Sequence, residues 1–231
     1  MHSSKPSYDS VWSANPWFAA LPAAEKKALM GSTSLAQLKA GDVLLRKGTV
    51  GGGFYGVLSG RLKVSSVGED GREAVLSVLE PGTWFGETAL LDGLPRTHDV
   101  SALAACELLA VSAGAFARLM GRSPFARAIA LQLATRNRAL YGLVEDAMLR
   151  STATRIARRL LVLARGDASM LPQARSSLTV SQEALSLLLG LTRQTLSKEL
   201  KQLEREGVLS LGYGRIEIVS LPALEARCAL A

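Results

Sequence analysis

Residues Val180 to Gly207 read VSQEALSLLLGLTRQTLSKELKQLEREG, and few folds accept such a stretch. It divides into two short helices joined by a tight turn at Gly190. Thr192 opens the second helix, where its hydroxyl can cap the free N–H groups of the first turn. Leu196, Leu200 and Leu203 recur at i, i+4 and i+7 and form one apolar stripe. The opposite face carries Arg193, Gln194, Ser197, Lys198 and Lys201. Arginine and lysine pair with guanine edges or phosphates and glutamine with adenine, so this face suits a DNA major groove. Two amphipathic helices with a solvated polar face would satisfy the same pattern.

The residues that follow favour DNA. Val208 to Leu211 is a short apolar run, Gly212-Tyr213-Gly214 is a turn, and Arg215 to Ser220 alternates like a strand. Helix, turn, helix and a two-stranded wing make a more specific pattern than the helices alone. Charge agrees. The 231-residue chain carries a net +7, unevenly spread. Met1 to Leu149 holds 15 Lys+Arg against 13 Asp+Glu, a balance of +2, whereas Arg150 to Ala231 holds 12 against 7, a balance of +5. A basic C-terminal domain attracts polyanions with an affinity that falls as salt rises.

Other chemistries lack their residues. Cys106 and Cys228 are far apart and have no metal-ligand spacing, so two reduced thiols, one buried and one in the tail, are expected. His2 and His98 are the only histidines, too few for a multi-histidine metal site. No run of about 18 apolar residues is present to span a membrane, and the N-terminal MHSSKPSYDS lacks a signal-peptide core. A cytoplasmic protein is expected. No paired acid/base carboxylates, nucleophile with histidine, or Walker loop points to catalysis, so no enzyme activity, catalytic residue, metal or cofactor is expected.

The N-terminal half has another texture. From Ala40 to about Ser112, the short runs VLLR, FYGVL, RLKVSSV, REAVLSVL, HDVSAL and ELLAVS lie between turns at Gly41-Asp42, Lys47-Gly48, Gly51-Gly52-Gly53, Ser59-Gly60, Asp70-Gly71 and Pro81-Gly82. Many short strands with glycine turns predict an all-β barrel or roll. Before it, Pro16 to Met30, with Trp17, Phe18, Leu21, Ala28 and Leu29, predicts short helices packed on that barrel.

One loop interrupts the pattern: Trp84 to Val100, WFGETALLDGLPRTHDV. Gly86 opens a short helical turn that starts at Thr88, and its backbone N–H groups suit an anion. Glu87 adds a carboxylate, Arg96 can grip a phosphate bidentately, and Thr97 adds a hydroxyl. A structural ion pair between Glu87 and Arg96 is the competing reading.

These residues resemble the CRP/FNR transcription regulators. The resemblance covers nearly the whole chain and rests on the cassette FGETALL…PRT, the glycines Gly41, Gly48, Gly60, Gly71 and Gly82, and the helix-turn-helix GLTRQTLSKELKQLEREG. It implies an α+β protein. Residues 1–123 would form a cyclic-nucleotide-binding β-roll or jelly roll, 124–150 a long central dimerisation helix, and 151–231 a winged helix-turn-helix. It also implies that Gly86 and Glu87 meet a ribose and phosphate, that Arg96 neutralises the cyclic phosphate, and that Thr97 adjoins it. His98 stands where many members carry a small residue, as a surface or packing residue or one that reshapes the pocket. Cyclic-AMP-sensing members grip the base with a Thr-Ser pair, and here that position is Leu140-Tyr141. Tyr141 can offer a phenol or stack on a base, or merely pack. A threonine after the arginine resembles guanine-tolerant domains, so cyclic AMP, cyclic GMP and cyclic di-GMP all stay open as effector.

Along the central helix, Ala130, Leu133, Asn137, Leu140, Val144 and Ala147 are spaced 3, 4, 3, 4, 3. This a/d seam suits two parallel helices with Asn137 fixing their register, or one helix packed on its own barrel. Family members dimerise through this helix. The expectation is therefore a homodimeric, ligand-responsive, sequence-specific DNA-binding regulator. Its expected partners are an inverted-repeat operator in double-stranded DNA, a second copy of itself and RNA polymerase. The alternatives are a ligand-independent member with a vestigial pocket and a regulatory module acting through protein contacts.

Overall fold

The computed structural model describes residues 9–13, 15–69, 71, 73–166, 175–178 and 180–229. His2, Asp70, Arg72 and residues 1–8 of the N-terminal segment read for a signal peptide lie outside them. The chain forms two compact units, one from Met1–Val64 with Val78–Ala134 and the other from Ser65–Ser77 with Thr135–Ala231.

In the first unit, α1 (Asp9–Ser13), α2 (Pro16–Ala20) and α3 (Ala23–Gly31) precede the strands. Asn15 starts α2 by accepting the Phe18 N–H, and Pro16 sits at its first helical position, where no N–H is needed. The strands are β1 (Thr33–Leu38), β2 (Val43–Leu45), β3 (Gly53–Ser59), β4 (Leu62–Val67), β5 (Glu73–Leu79), β6 (Trp84–Phe85), β7 (Asp99–Ala102) and β8 (Cys106–Ser112), of which the end of β4 and most of β5 fall within Ser65–Ser77 of the second unit. They form two four-stranded sheets, ordered β1-β8-β3-β6 and β2-β7-β4-β5. The helix α4 (Thr88–Asp92) interrupts them, and α5 (Ala113–Met120) follows.

The predicted runs are strands, and the set begins earlier than Ala40. The segment TSLAQL is mostly exposed or half-buried, so its own pattern does not announce β1. It is a strand because β8 pairs with it antiparallel from Thr33↔Val111 to Leu38↔Cys106. The core behind these strands is aromatic. Trp12 and Trp84 rings lie 5.0 Å apart, and Phe54 stacks on Trp84 at 5.2 Å. Phe18, Leu21 and Leu29 are buried in this core, with Trp17 and Ala28 packed against it. The predicted short helices therefore do cover the strands.

Helix α6 (Ser123–Leu149) is the longest element, at 27 residues. Its first turns are tied to the first unit. Phe125 and Ile129 are in the core and Leu133 packs against it. Trp17 Nε1 donates to the Ala128 carbonyl at 2.8 Å, and Gln132 Nε2 to that of Trp84 at 2.9 Å. Just before the helix, Arg122 Nε and Nη2 donate to the two oxygens of Glu25 at 2.6 and 2.8 Å. This hydrogen bond outweighs burial and holds the Glu25 carboxyl below its ordinary range. A depressed folded-state pKa contributes stability above the unfolded value, about 4.3, that is lost as pH falls. Glu25→Gln should therefore unfold more easily than wild type at neutral pH, and the difference should close below about pH 4. Urea titrations at both pH values check this.

In the second unit, α7 (Thr152–Ala164) is capped by Ser151, which accepts the Thr154 N–H. After it come β9 (Ser177–Leu178), α8 (Gln182–Leu189), α9 (Arg193–Arg205), β10 (Leu209–Gly212), β11 (Arg215–Ile218) and α10 (Leu221–Cys228). The wing is three-stranded rather than two-stranded, ordered β10-β11-β9. Its third strand pairs Leu178 with Ile216 across a long sequence gap, which local alternation cannot reveal. Helix α10 is a further element beyond the expected wing; Ser220 caps it and Pro222 lies in its first turn. The core of this unit joins Ile156, Leu160, Leu185, Leu196, Leu200, Leu203 and Ile216. Cys106 is buried and Cys228 half-buried, both as free thiols.

Candidate ligand cassette and nucleic-acid interface

The cassette is built on the β6–α4 turn and the chain before β7. Gly86 follows β6 with φ +97, and a Cβ there would stand 2.6 Å from the Gly53 carbonyl, so only glycine fits. Glu87 is buried and Thr88 exposed at the start of α4. Arg96 is 6% exposed. Its guanidinium is aimed by the backbone around it. Nε and Nη2 both donate to the Gly51 carbonyl, at 2.9 and 2.7 Å. Nη1 donates to Gly86 O at 2.7 Å, and Nη2 also reaches Gly53 O at 3.3 Å. The arginine's own backbone is held by Arg96 N–H to Thr49 O and Gly48 N–H to Arg96 O, each 2.8 Å. Burial draws the guanidinium pKa down, while the charges of Tyr55, Glu87 and Asp92 push it back up.

Thr97, exposed, shares a 2.8 Å hydrogen bond with His98 Nδ1. Burial and the Lys47 charge lower the imidazole pKa, against a smaller opposing effect of Asp99. This favours the neutral ring, whose tautomer decides which of the two atoms donates. Thr97, Gly86, Glu87, Thr88 and Arg96 stand together in one unit. Tyr141 stands on α6 in the other unit, where its side chain is exposed.

Two features of the cassette escape a reading of the sequence. The Gly51-Gly52-Gly53 run reads as a turn, yet its carbonyls hold the arginine. Tyr55, half-buried on β3 and stacked on Phe85 at 5.6 Å, is close enough to Arg96 to act on its charge. A ring so placed also shapes the cassette wall.

The second surface is on α9. Thr192 caps the helix by accepting the Thr195 N–H, and Gly190 ends α8 in the left-handed conformation at φ +64. Leu196, Leu200 and Leu203 are buried. This turns Arg193, Gln194, Ser197, Lys198 and Lys201 to an open groove of about 700 Å³, which Gln182, Glu183 and Arg205 complete. The Arg193 guanidinium is ion-paired with Glu183 on α8. Leu133 packs on the core of the first unit, whereas Asn137, Leu140 and Val144 are exposed on α6.

Residues 35–123 match the cyclic nucleotide-binding domain family, and residues 154–227 match the Crp-like helix-turn-helix domain family. The chain is 32% identical to the cyclic AMP receptor protein of Thermus thermophilus over 186 residues, which is 80% of this chain and 83% of that protein.

The chain belongs to the CRP/FNR family.

A solved CRP/FNR-family transcriptional regulator from Thermus thermophilus superposes with a TM-score of 0.66 at 28% identity, covering 84% of this chain and 98% of its own. The c-di-GMP responsive global regulator CLP of Xanthomonas campestris shares the fold, with a TM-score of 0.68 at 24% identity, covering 86% and 100%. As a CRP/FNR member, the protein is a transcription regulator with a cyclic nucleotide-binding domain and a DNA-binding helix-turn-helix, in a family of regulators rather than enzymes. Among the described residues no helix is long and apolar enough to cross a membrane.

Proposed function

We propose that the protein is a cytoplasmic homodimer that binds an inverted-repeat operator through α9 and changes its DNA affinity when an anionic cyclic nucleotide enters the Gly86–Thr97 cassette. The sensor would be 1–123, the dimerisation helix 124–150 and the DNA-binding domain 151–231. The observation that carries the DNA reading is the open groove lined by Arg193, Gln194, Ser197, Lys198 and Lys201. A buried, oriented arginine carries the anion reading. The mechanism is a population shift, in which the nucleotide binds the DNA-competent dimer more tightly than the other state. RNA polymerase is the partner through which such a regulator would act.

Calorimetry against cyclic AMP, cyclic GMP and cyclic di-GMP, followed by operator selection with each, tests the reading. The relative from Thermus makes cyclic AMP the first probe. Sequence-selective binding whose affinity falls steeply with salt separates a DNA regulator from a module acting through protein contacts. Failure of all three nucleotides, with operator binding intact, would leave a ligand-independent regulator.

Arg193→Ala should cost roughly 1–3 kcal/mol at the operator and relax the preference at one guanine per half-site. Its ion pair with Glu183 is exposed on both sides, so DNA can displace the carboxylate at small cost. Equal weakening on unrelated DNA would make Arg193 a phosphate contact instead. Lys201 is the candidate for that nonspecific role.

A further inference from the structure

The atom that meets the fork of Arg96 belongs to the protein. Nε and Nη2 converge on the single carbonyl oxygen of Gly51, which is how a guanidinium edge grips a phosphate oxygen. One Nη1 hydrogen goes to Gly86 and the other Nη2 hydrogen to Gly53. A cyclic phosphate approaching this edge therefore has to displace the Gly51 carbonyl.

The loop is built to allow that. Gly51 and Gly52 hold φ +91 and +92, and both are exposed. Rotation of the peptide joining them changes the φ of Gly52, and glycine crosses between positive and negative φ at little cost. Rotation withdraws an acceptor from the guanidinium and turns the Gly52 N–H toward the same space, where an anion needs a donor.

We propose that the Gly51–Gly52 peptide is a gate on Arg96, which closes the cassette with its carbonyl and must open by rotating before a phosphodiester binds. This rests on the cassette being the nucleotide site. It adds that occupancy is read out first by the loop between β2 and β3.

The gate is tested with cyclic AMP or cyclic GMP carrying a fluorophore at C8 of the base in stopped flow, and with hydrogen exchange of the Arg96 Nε–H by NMR, assigned through Arg96→Lys. Opening before binding makes the observed association rate level off as nucleotide rises. Gly52→Ala places an L residue at the positive φ that the rotation relieves, with its Cβ 2.8 Å from Nη2 of Arg96 while the loop is closed. It should disfavour the closed loop and raise the plateau about tenfold. Without nucleotide the Nε–H should be protected in wild type and less so in Gly52→Ala. If that variant fails to fold, the wild-type plateau and protection still decide. A rate that rises linearly with nucleotide, or an unprotected Nε–H, overturns the gate and leaves the nucleotide site standing. Equilibrium dialysis showing no binding of either nucleotide to wild type or variant overturns both.

Discussion

Leu140→Glu should convert the protein to a monomer that no longer holds its operator. Leu140 is 60% exposed and Val144 55% exposed on the same face of α6, with Asn137 one turn earlier. Burying one leucine is worth about 1.5–3 kcal/mol. A two-fold interface loses it twice and gains two facing carboxylates, so dimer affinity should fall at least about a thousandfold. Half-site binding by a lone α9 then loses the effective concentration supplied by its partner, a further factor of roughly 10²–10⁴. Because the side chain is exposed within the single chain, the substitution should leave the thermal transition of the monomer intact. Sedimentation measures the assembly and fluorescence anisotropy the operator binding. A dimer that survives in this variant would place the interface on another face.

Arg96→Ala should abolish nucleotide binding and also weaken the first unit. A surface loop arginine would be lost without harm to the fold. Here the guanidinium is buried and satisfies the carbonyls of Gly51, Gly53 and Gly86, and hydrogen bonds to a charged donor contribute about 1.5–3 kcal/mol each. Partial hydration of the freed carbonyls will recover some of this, so a net loss of about 2–4 kcal/mol is expected. The denaturation midpoint of the variant measures it. A variant with wild-type stability and wild-type nucleotide affinity would remove Arg96 from the site.

The element types were legible where side-chain period and caps act locally. Leu196, Leu200 and Leu203 define the buried face of α9, and Thr192 its start, with no help from the rest of the chain. The short β runs were legible because glycine turns punctuate them. Strand β1 and the third wing strand were not, because their evidence lies in partners: β8 for Thr33–Leu38 and β11 for Ser177–Leu178. The a/d seam showed that α6 has an apolar stripe but could not say how it is shared. The structure divides it, with Leu133 against the core of the first unit and Leu140 and Val144 left exposed.

The residue types of the cassette and of the recognition face were set by the sequence alone, as were the two-part organisation of the chain and the basic bias of its C-terminal part. Charge, hydrogen-bonding capacity and periodicity are properties of the residues themselves. The tertiary structure decided what the Arg96 guanidinium touches. Seen as a motif, Arg96 invites either a phosphate or the Glu87 carboxylate. In the fold, β3 and the loop before it bring the Gly51 and Gly53 carbonyls to its edge, from residues more than forty positions away. A buried cation must be satisfied by whatever the fold places beside it. That neighbour is a peptide carbonyl, which every residue carries and no sequence pattern marks.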